Sequence, residues 1–108
     1  MIKIDWDKQG GLLPAVAQDS DSKEVLMLAY VNKEALNLTF ETGFAHYYSR
    51  SRDQIWKKGE TSGHVQKIKG VYLDCDGDTI LYMIDQTGPA CHTGARSCFF
   101  TKLDSAER

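Results

Sequence analysis

Residues 74–78, Asp-Cys-Asp-Gly-Asp, bring three carboxylates and a thiol together between two apolar runs. Side chains alternate faces along an extended chain, so Asp74, Asp76 and Asp78 share one side there while Cys75 points to the other. Carboxylate oxygens suit a hard cation such as Mg²⁺, and a thiolate suits a softer one such as Zn²⁺. The same residues carry an Asp-Gly turn signal, which instead gathers the carboxylates at the bend of a hairpin. Both readings crowd the three carboxylates. An EF-hand does not fit, because Thr79 stands where that loop needs glycine and Asp85 where it needs glutamate.

The remaining thiols are Cys91 and Cys98, and the spacing of Cys75, Cys91 and Cys98 matches no common zinc-finger or ribbon pattern. A structural zinc takes four protein ligands, whereas three thiolates leave one position for a water whose pKa falls toward about 7 on the metal. His92 therefore has two readings. It completes an inert Cys₃His site in a non-enzymatic domain, or it stands beside the metal as a general base, the easier role for a neighbour of a ligand. Buried, unliganded cysteine is the plainer account of the thiols. Zinc-dependent deaminases direct hydroxide at a purine C6 carbon, but their Pro-Cys-x-x-Cys signature is absent.

Positive charge concentrates in one place: Arg50, Arg52, Lys57 and Lys58 against the single anion Asp53, with Thr61 and Ser62 following. Such a stretch holds phosphate, or else it is a solvated loop. Tyr47, Tyr48 and Trp56 beside it are stacking platforms for single-stranded nucleic acid or, more simply, core aromatics. A net charge of -2 and a pI near 5.9 argue against a general nucleic-acid binder. No apolar run approaches the ~20 residues that span a bilayer, and the start has no signal-peptide layout. A cytoplasmic protein with reduced thiols and no membrane partner is the expectation.

The elements that must position these groups are short. With 108 residues and 42% hydrophobic content, residues 1–108 read as one domain. Apolar runs at 12–17 and 25–30 flank a polar turn and predict two antiparallel core strands. Asn32 caps a helix running to Thr42, with Gly43 as its stop. Residues 44–49 read as a strand, residues 65–73 and 79–84 as a hairpin around the acidic turn, and 86–98 as a Gly- and hydroxyl-rich functional loop. Residues 99–101 are expected to return to the sheet, with a polar tail from Asp104. The fold class is α+β: a small, mixed, barrel-like sheet of seven or eight short strands with one main helix.

Four segments in order, 46–52, 56–63, 73–78 and 86–99, resemble those of phosphoribosyl-AMP cyclohydrolase, an enzyme family of histidine biosynthesis. The resemblance covers roughly residues 11–101 and looks like the stand-alone form, without a fused pyrophosphohydrolase domain. It implies hydrolysis of the N1–C6 bond in the adenine ring of 1-(5-phosphoribosyl)-AMP, a phosphorylated purine nucleotide, to a ring-opened aminoimidazole carboxamide. It further implies a homodimer with shared sites, in which Zn²⁺ is held by Cys75 of one subunit with Cys91 and Cys98 of the other, and Mg²⁺ by Asp74, Asp76 and Asp78. His92 is then the general base, His46 and His64 have binding or structural parts, and the basic stretch, Thr61, Ser62 and Arg96 grip the two phosphates.

Overall fold

Alternation of small and branched apolar residues sets the first strand. In β1 (Leu13–Asp19), Leu13, Ala15, Ala17 and Asp19 are buried, while Pro14, Val16 and Gln18 face the other side, as a period of two requires. The Asp19 carboxylate accepts from the backbone of Asp21 (3.2 Å) and Ser22 (2.8 Å) and so closes the turn into β2 (Val25–Val31). The two strands pair antiparallel, as expected. The expectation that all of 25–30 is core fails at Val25 and Leu28, which are exposed on the outer side of the sheet.

The computed structural model describes residues 3–105; the last three residues of the expected polar tail lie outside them. Helix α1 (Lys33–Thr42) has the predicted ends: Asn32 Oδ1 accepts from Ala35 N at 2.8 Å, and Gly43 adopts φ 78 while its N–H bonds Thr39 O. Ala35, Leu36 and Thr39 face the core. Four more strands follow, β3 (His46–Ser49), β4 (Gln54–Lys57), β5 (Gln66–Leu73) and β6 (Ile80–Gln86).

The sheet runs β4-β3-β2-β1-β6-β5, with β1 and β6 parallel and the other pairs antiparallel. It is therefore mixed, as anticipated, but has six strands rather than seven or eight. Residues 99–101 add no strand: Phe99 and Phe100 are exposed. The barrel-like expectation holds as a half-barrel. The lead-in to β3 reaches the far edge, where Ala45 N donates to Gln66 O (2.9 Å) and Ile68 N to Gly43 O (2.8 Å).

Every buried side-chain nitrogen and oxygen among the described residues is paired. Thr39 Oγ1 donates to Ala35 O (2.9 Å), accepts from His46 N (2.9 Å) and lies 3.1 Å from the Tyr82 hydroxyl, which reaches His46 O. Tyr47 donates to Gln66 Oε1 (2.6 Å), and Gln66 donates to Gln86 Oε1 (2.9 Å). These bonds tie α1 and both sheet edges to one geometry. We predict that Thr39→Val, equal in shape but unable to pair the buried His46 N–H, lowers unfolding free energy by about 1–3 kcal/mol. A denaturant midpoint that does not move would contradict this.

Candidate active site

The outer side of β2, β3 and β4 opens into a cleft of about 1100 Å³. Its basic wall follows from the β3–β4 hairpin, whose register pairs Ser49 with Gln54 and leaves 50–53 as the loop. Arg50 stacks its guanidinium 4.1 Å over the Tyr30 ring, and Lys57 lies 4.8 Å over Phe44; both cations are thereby oriented without losing charge. The Tyr48 hydroxyl donates to Asp53, which holds the loop's one anion against the strand. Gly59 turns the chain so that Thr61 and Ser62 come over the cleft. Its φ is 80, and a Cβ there would lie 2.4 Å from the His64 carbonyl carbon.

His92 lines the same cleft. It belongs to a loop folded on itself, where Cys91 N bonds Ala95 O (3.1 Å), Gly94 N bonds Cys91 O (3.0 Å) and Ala90 N bonds Arg96 O (3.0 Å). Outside contacts pin the loop. Cys98 N donates to Leu26 O (2.7 Å), Ser97 Oγ to Val25 O (2.8 Å), and Lys58 Nζ to Ala90 O (2.5 Å). Cys91 and Cys98 are near enough for each to shift the other's ionisation. Donation by the Thr93 hydroxyl (3.1 Å to Sγ) and backbone N–H lowers the Cys91 pKa, with Cys98 and Lys58 adding to it. Burial, then the neighbouring Cys91, raises that of Cys98. One thiol of the pair thus ionises ahead of the other.

The acidic residues lie at the other end of the sheet, in the turn between β5 and β6. Asp74 Oδ1 accepts from the backbone of Asp78 (3.0 Å) and Thr79 (3.2 Å), so the bend is a turn rather than a strand face. Asp74, Asp76 and Asp78 each offer an oxygen within 4.8 Å of the others. The Lys8 ammonium stands among them, 2.8 Å from Asp78 and 3.3 Å from Asp76. Those bonds push Lys8 up to about 12, and the ammonium in turn lowers Asp78.

Cys75 is exposed in this turn, before the first residue of β6, whereas Cys91 follows its last. Seven residues of strand span about 20 Å. Within a single chain the three sulfurs do not converge, and the aspartates form the only close trio of potential ligands among the described residues.

Comparison with known proteins fits this arrangement. The sequence profile of phosphoribosyl-AMP cyclohydrolase matches residues 27–100, which contain the cleft strands, the acidic turn and the thiol loop. The chain belongs to the phosphoribosyl-AMP cyclohydrolase family. It is similar to the phosphoribosyl-AMP cyclohydrolase of Haloquadratum walsbyi, 66% identical over 97 residues, with 90% of this chain and 74% of the relative covered. The enzyme of that name from Archaeoglobus fulgidus is 54% identical over 106 residues, covering 98% and 97%. The histidine biosynthesis bifunctional protein HisIE of Wolinella succinogenes is 62% identical over 101 residues, covering 94% of this chain and 44% of that protein.

In this cyclohydrolase-family chain the cleft gathers Arg50, Arg52, Lys57, Thr61, Ser62 and His92. Two residues expected to grip phosphate lie elsewhere. Lys58 is bonded to Ala90, and Arg96 pairs with Glu24 (2.8 Å) and Asp19 (3.3 Å), so both brace the thiol loop. His46 is buried with Nδ1 2.9 Å from Phe44 O, and the His64 ring packs against Gly88; neither lines the cleft. Lys8, Tyr30 and Thr93 escaped the sequence reading. Only Thr93, a hydroxyl two residues from a thiol, carried a local signal for its contact. In metal-free protein, Thr93→Val is expected to shift the Cys91 titration upward toward its ordinary value, followed by the ultraviolet thiolate band. An unchanged titration would show that the hydroxyl does not set it.

Proposed function

We propose that the chain hydrolyses the N1–C6 bond of the adenine ring of 1-(5-phosphoribosyl)-AMP, giving the ring-opened aminoimidazole carboxamide used in histidine biosynthesis. Family membership supports the reaction class. The observation that carries it to particular residues is that His92 shares one cleft with Arg50, Arg52 and Lys57 while its neighbour Cys91 is near enough to Cys98 to be shifted by it. Arg50 and Arg52 on one wall, with Lys57, Thr61 and Ser62, bind the two phosphates through charge-assisted hydrogen bonds. Substrate so held presents its purine toward the His92 rim, where the imidazole takes a proton from the attacking water and returns it as the ring opens. Ribosylation at N1 leaves the purine cationic, so C6 is already electrophilic.

The donor set fits a soft divalent ion: two neighbouring sulfurs, one already favoured as thiolate. Cys91 and Cys98 would hold zinc, with Cys75 of a second copy as the third ligand, since the same chain keeps its own Cys75 at the far end of β6. Zinc in such a site supplies Lewis-acid activation of water. The aspartate trio fits a hard cation, because an ammonium already stands there at 2.8 Å; Asp74, Asp76 and Asp78 would hold Mg²⁺ and offset phosphate charge.

Purified protein is expected to open phosphoribosyl-AMP, to lose turnover on stripping with a zinc chelator and to regain it with Zn²⁺. Full turnover in verified zinc-free protein would reject the reading. His92→Ala should keep zinc and fold while kcat falls about 10²- to 10⁴-fold; loss of metal and fold instead would make the site structural. Mixing Cys75→Ala with Cys91→Ala protein should restore about a quarter of wild-type activity, because half the dimers are mixed and each carries one intact site. No rescue in demonstrably mixed dimers would refute sharing.

A further inference from the structure

The cleft with the basic wall also contains an anion that no part of the proposed reaction uses. Glu60 lines it, and of the described residues that do, it is the single acidic one. Its place is set by the backbone. Glu60 N donates to Lys57 O (3.1 Å) and Gly63 N to Gly59 O (2.8 Å), two successive turns that carry the chain from the end of β4 to Thr61 and Ser62. The Glu60 carboxylate is exposed and has no ion pair or hydrogen bond among the described residues. Asp53, the other anion of this region, is instead held by the Tyr48 hydroxyl.

An unpaired carboxylate beside phosphate grips works against the anions those grips hold, because like charges brought together weaken binding. The repulsion is offset where the ligand brings a positive group of its own. In the reaction proposed above the ligand has one: ribosylation at N1 leaves the purine cationic, and its exocyclic amine becomes a charged donor. The aromatic rings of the cleft are poorly placed to meet that charge. Tyr30 already lies under the Arg50 guanidinium at 4.1 Å, and the Lys58 ammonium stands 5.9 Å over Trp56. A second cation over an occupied ring meets the first one's charge.

We infer that Glu60 is a specificity-determining residue, whose carboxylate accepts a charge-assisted hydrogen bond from the cationic N1-substituted purine and so separates the substrate from ordinary adenine nucleotides. The inference rests on the ring-opening reading of the cleft. Arg50, Arg52, Lys57, Thr61 and Ser62 grip phosphate, which AMP and ATP also present, and stacking accepts any purine face. Neither feature reads substitution at N1. A carboxylate does: a neutral ring leaves its repulsion of the phosphates uncompensated, and a cationic ring converts it into an ion pair. One side chain thus attracts the right purine and disfavours the wrong one. A contact to ribose hydroxyls, the other common use of a carboxylate in a nucleotide site, would favour both nucleotides alike.

The probes are 1-methyl-AMP, whose ring is cationic, and AMP, whose ring is neutral. Each is titrated calorimetrically at pH 7 into the protein as purified and into Glu60→Gln, an isosteric change at an exposed position. The wild type should bind 1-methyl-AMP about 10-fold or more tightly than AMP, as a hydrogen bond to a charged group contributes. Glu60→Gln should lose that preference by weakening 1-methyl-AMP alone, and its retained AMP binding reports an intact cleft. A wild type without the preference, a preference that survives in Glu60→Gln, or equal weakening of both ligands overturns the inference. Turnover of phosphoribosyl-AMP by the wild type tests the function separately. Turnover with the preference intact in Glu60→Gln removes the inference and leaves the reaction. A preference abolished by Glu60→Gln in protein that does not open phosphoribosyl-AMP removes the reaction and leaves Glu60 as the group that recognises cationic purines.

Discussion

The parallel pairing of β1 with β6 is the seam on which the architecture depends. On one side of it lie β1, β2, β3 and β4, each antiparallel to the next; on the other lies the β5–β6 hairpin. Five registered pairs from Ala15↔Ile80 to Asp19↔Ile84 join them. Strands in parallel pairs are usually covered on both faces, and the residues here obey that composition, with Ala15, Ala17, Tyr82 and Ile84 inward and Val16 and Leu81 outward. The same pairing fixes the direction of β6. Its first residue must follow the acidic turn at one end of the sheet, and its last must feed the thiol loop at the other.

A second layer of determination comes from buried hydroxyls and amides rather than from apolar area. Tyr47, Gln66 and Gln86 link β3, β5 and β6, and Thr39 links α1 to β3 and β6. Each of these bonds adds little net free energy, yet leaving one unmade inside the half-barrel is costly. They therefore select the curl in which Ala45 meets Gln66 over flatter arrangements of the same strands. Burial raises the pKa of both Tyr47 and Tyr82, the latter to about 12, so both remain neutral donors across ordinary pH.

What the sequence reveals and what it hides follow from the range of the interactions. Asn32 and Gly43 announce α1 because a cap and a stop act within four residues, and the Asp-Gly bend announces its hairpin for the same reason. The strand β4 went unread, since Gln54-Ile55-Trp56-Lys57 is short and sits among cations that look like a loop. Phe99 and Phe100 read as a strand from β-propensity alone, but no edge within the chain takes them. Charges are the least legible of all: Arg96 and Lys58 look like free cations until the fold sets Glu24, Asp19 and Ala90 O beside them. The four segments that resemble the cyclohydrolases were readable because their residue types persist in order, and the cleft gathers five of the seven residues nominated as phosphate grips.

The ammonium seated among the aspartates alters how that turn meets ions. Three carboxylates at mutual distances under 5 Å repel one another, and Lys8, arriving from the N-terminal segment, offsets that repulsion as soon as the chain is folded. Were a divalent ion to enter the turn, as the proposed function has it, it would meet a tethered monovalent cation already paired with Asp76 and Asp78. Occupancy would then be a competition whose rival travels with the protein at fixed effective concentration, held close by a segment whose Asp5 N–H bonds Gly77 O.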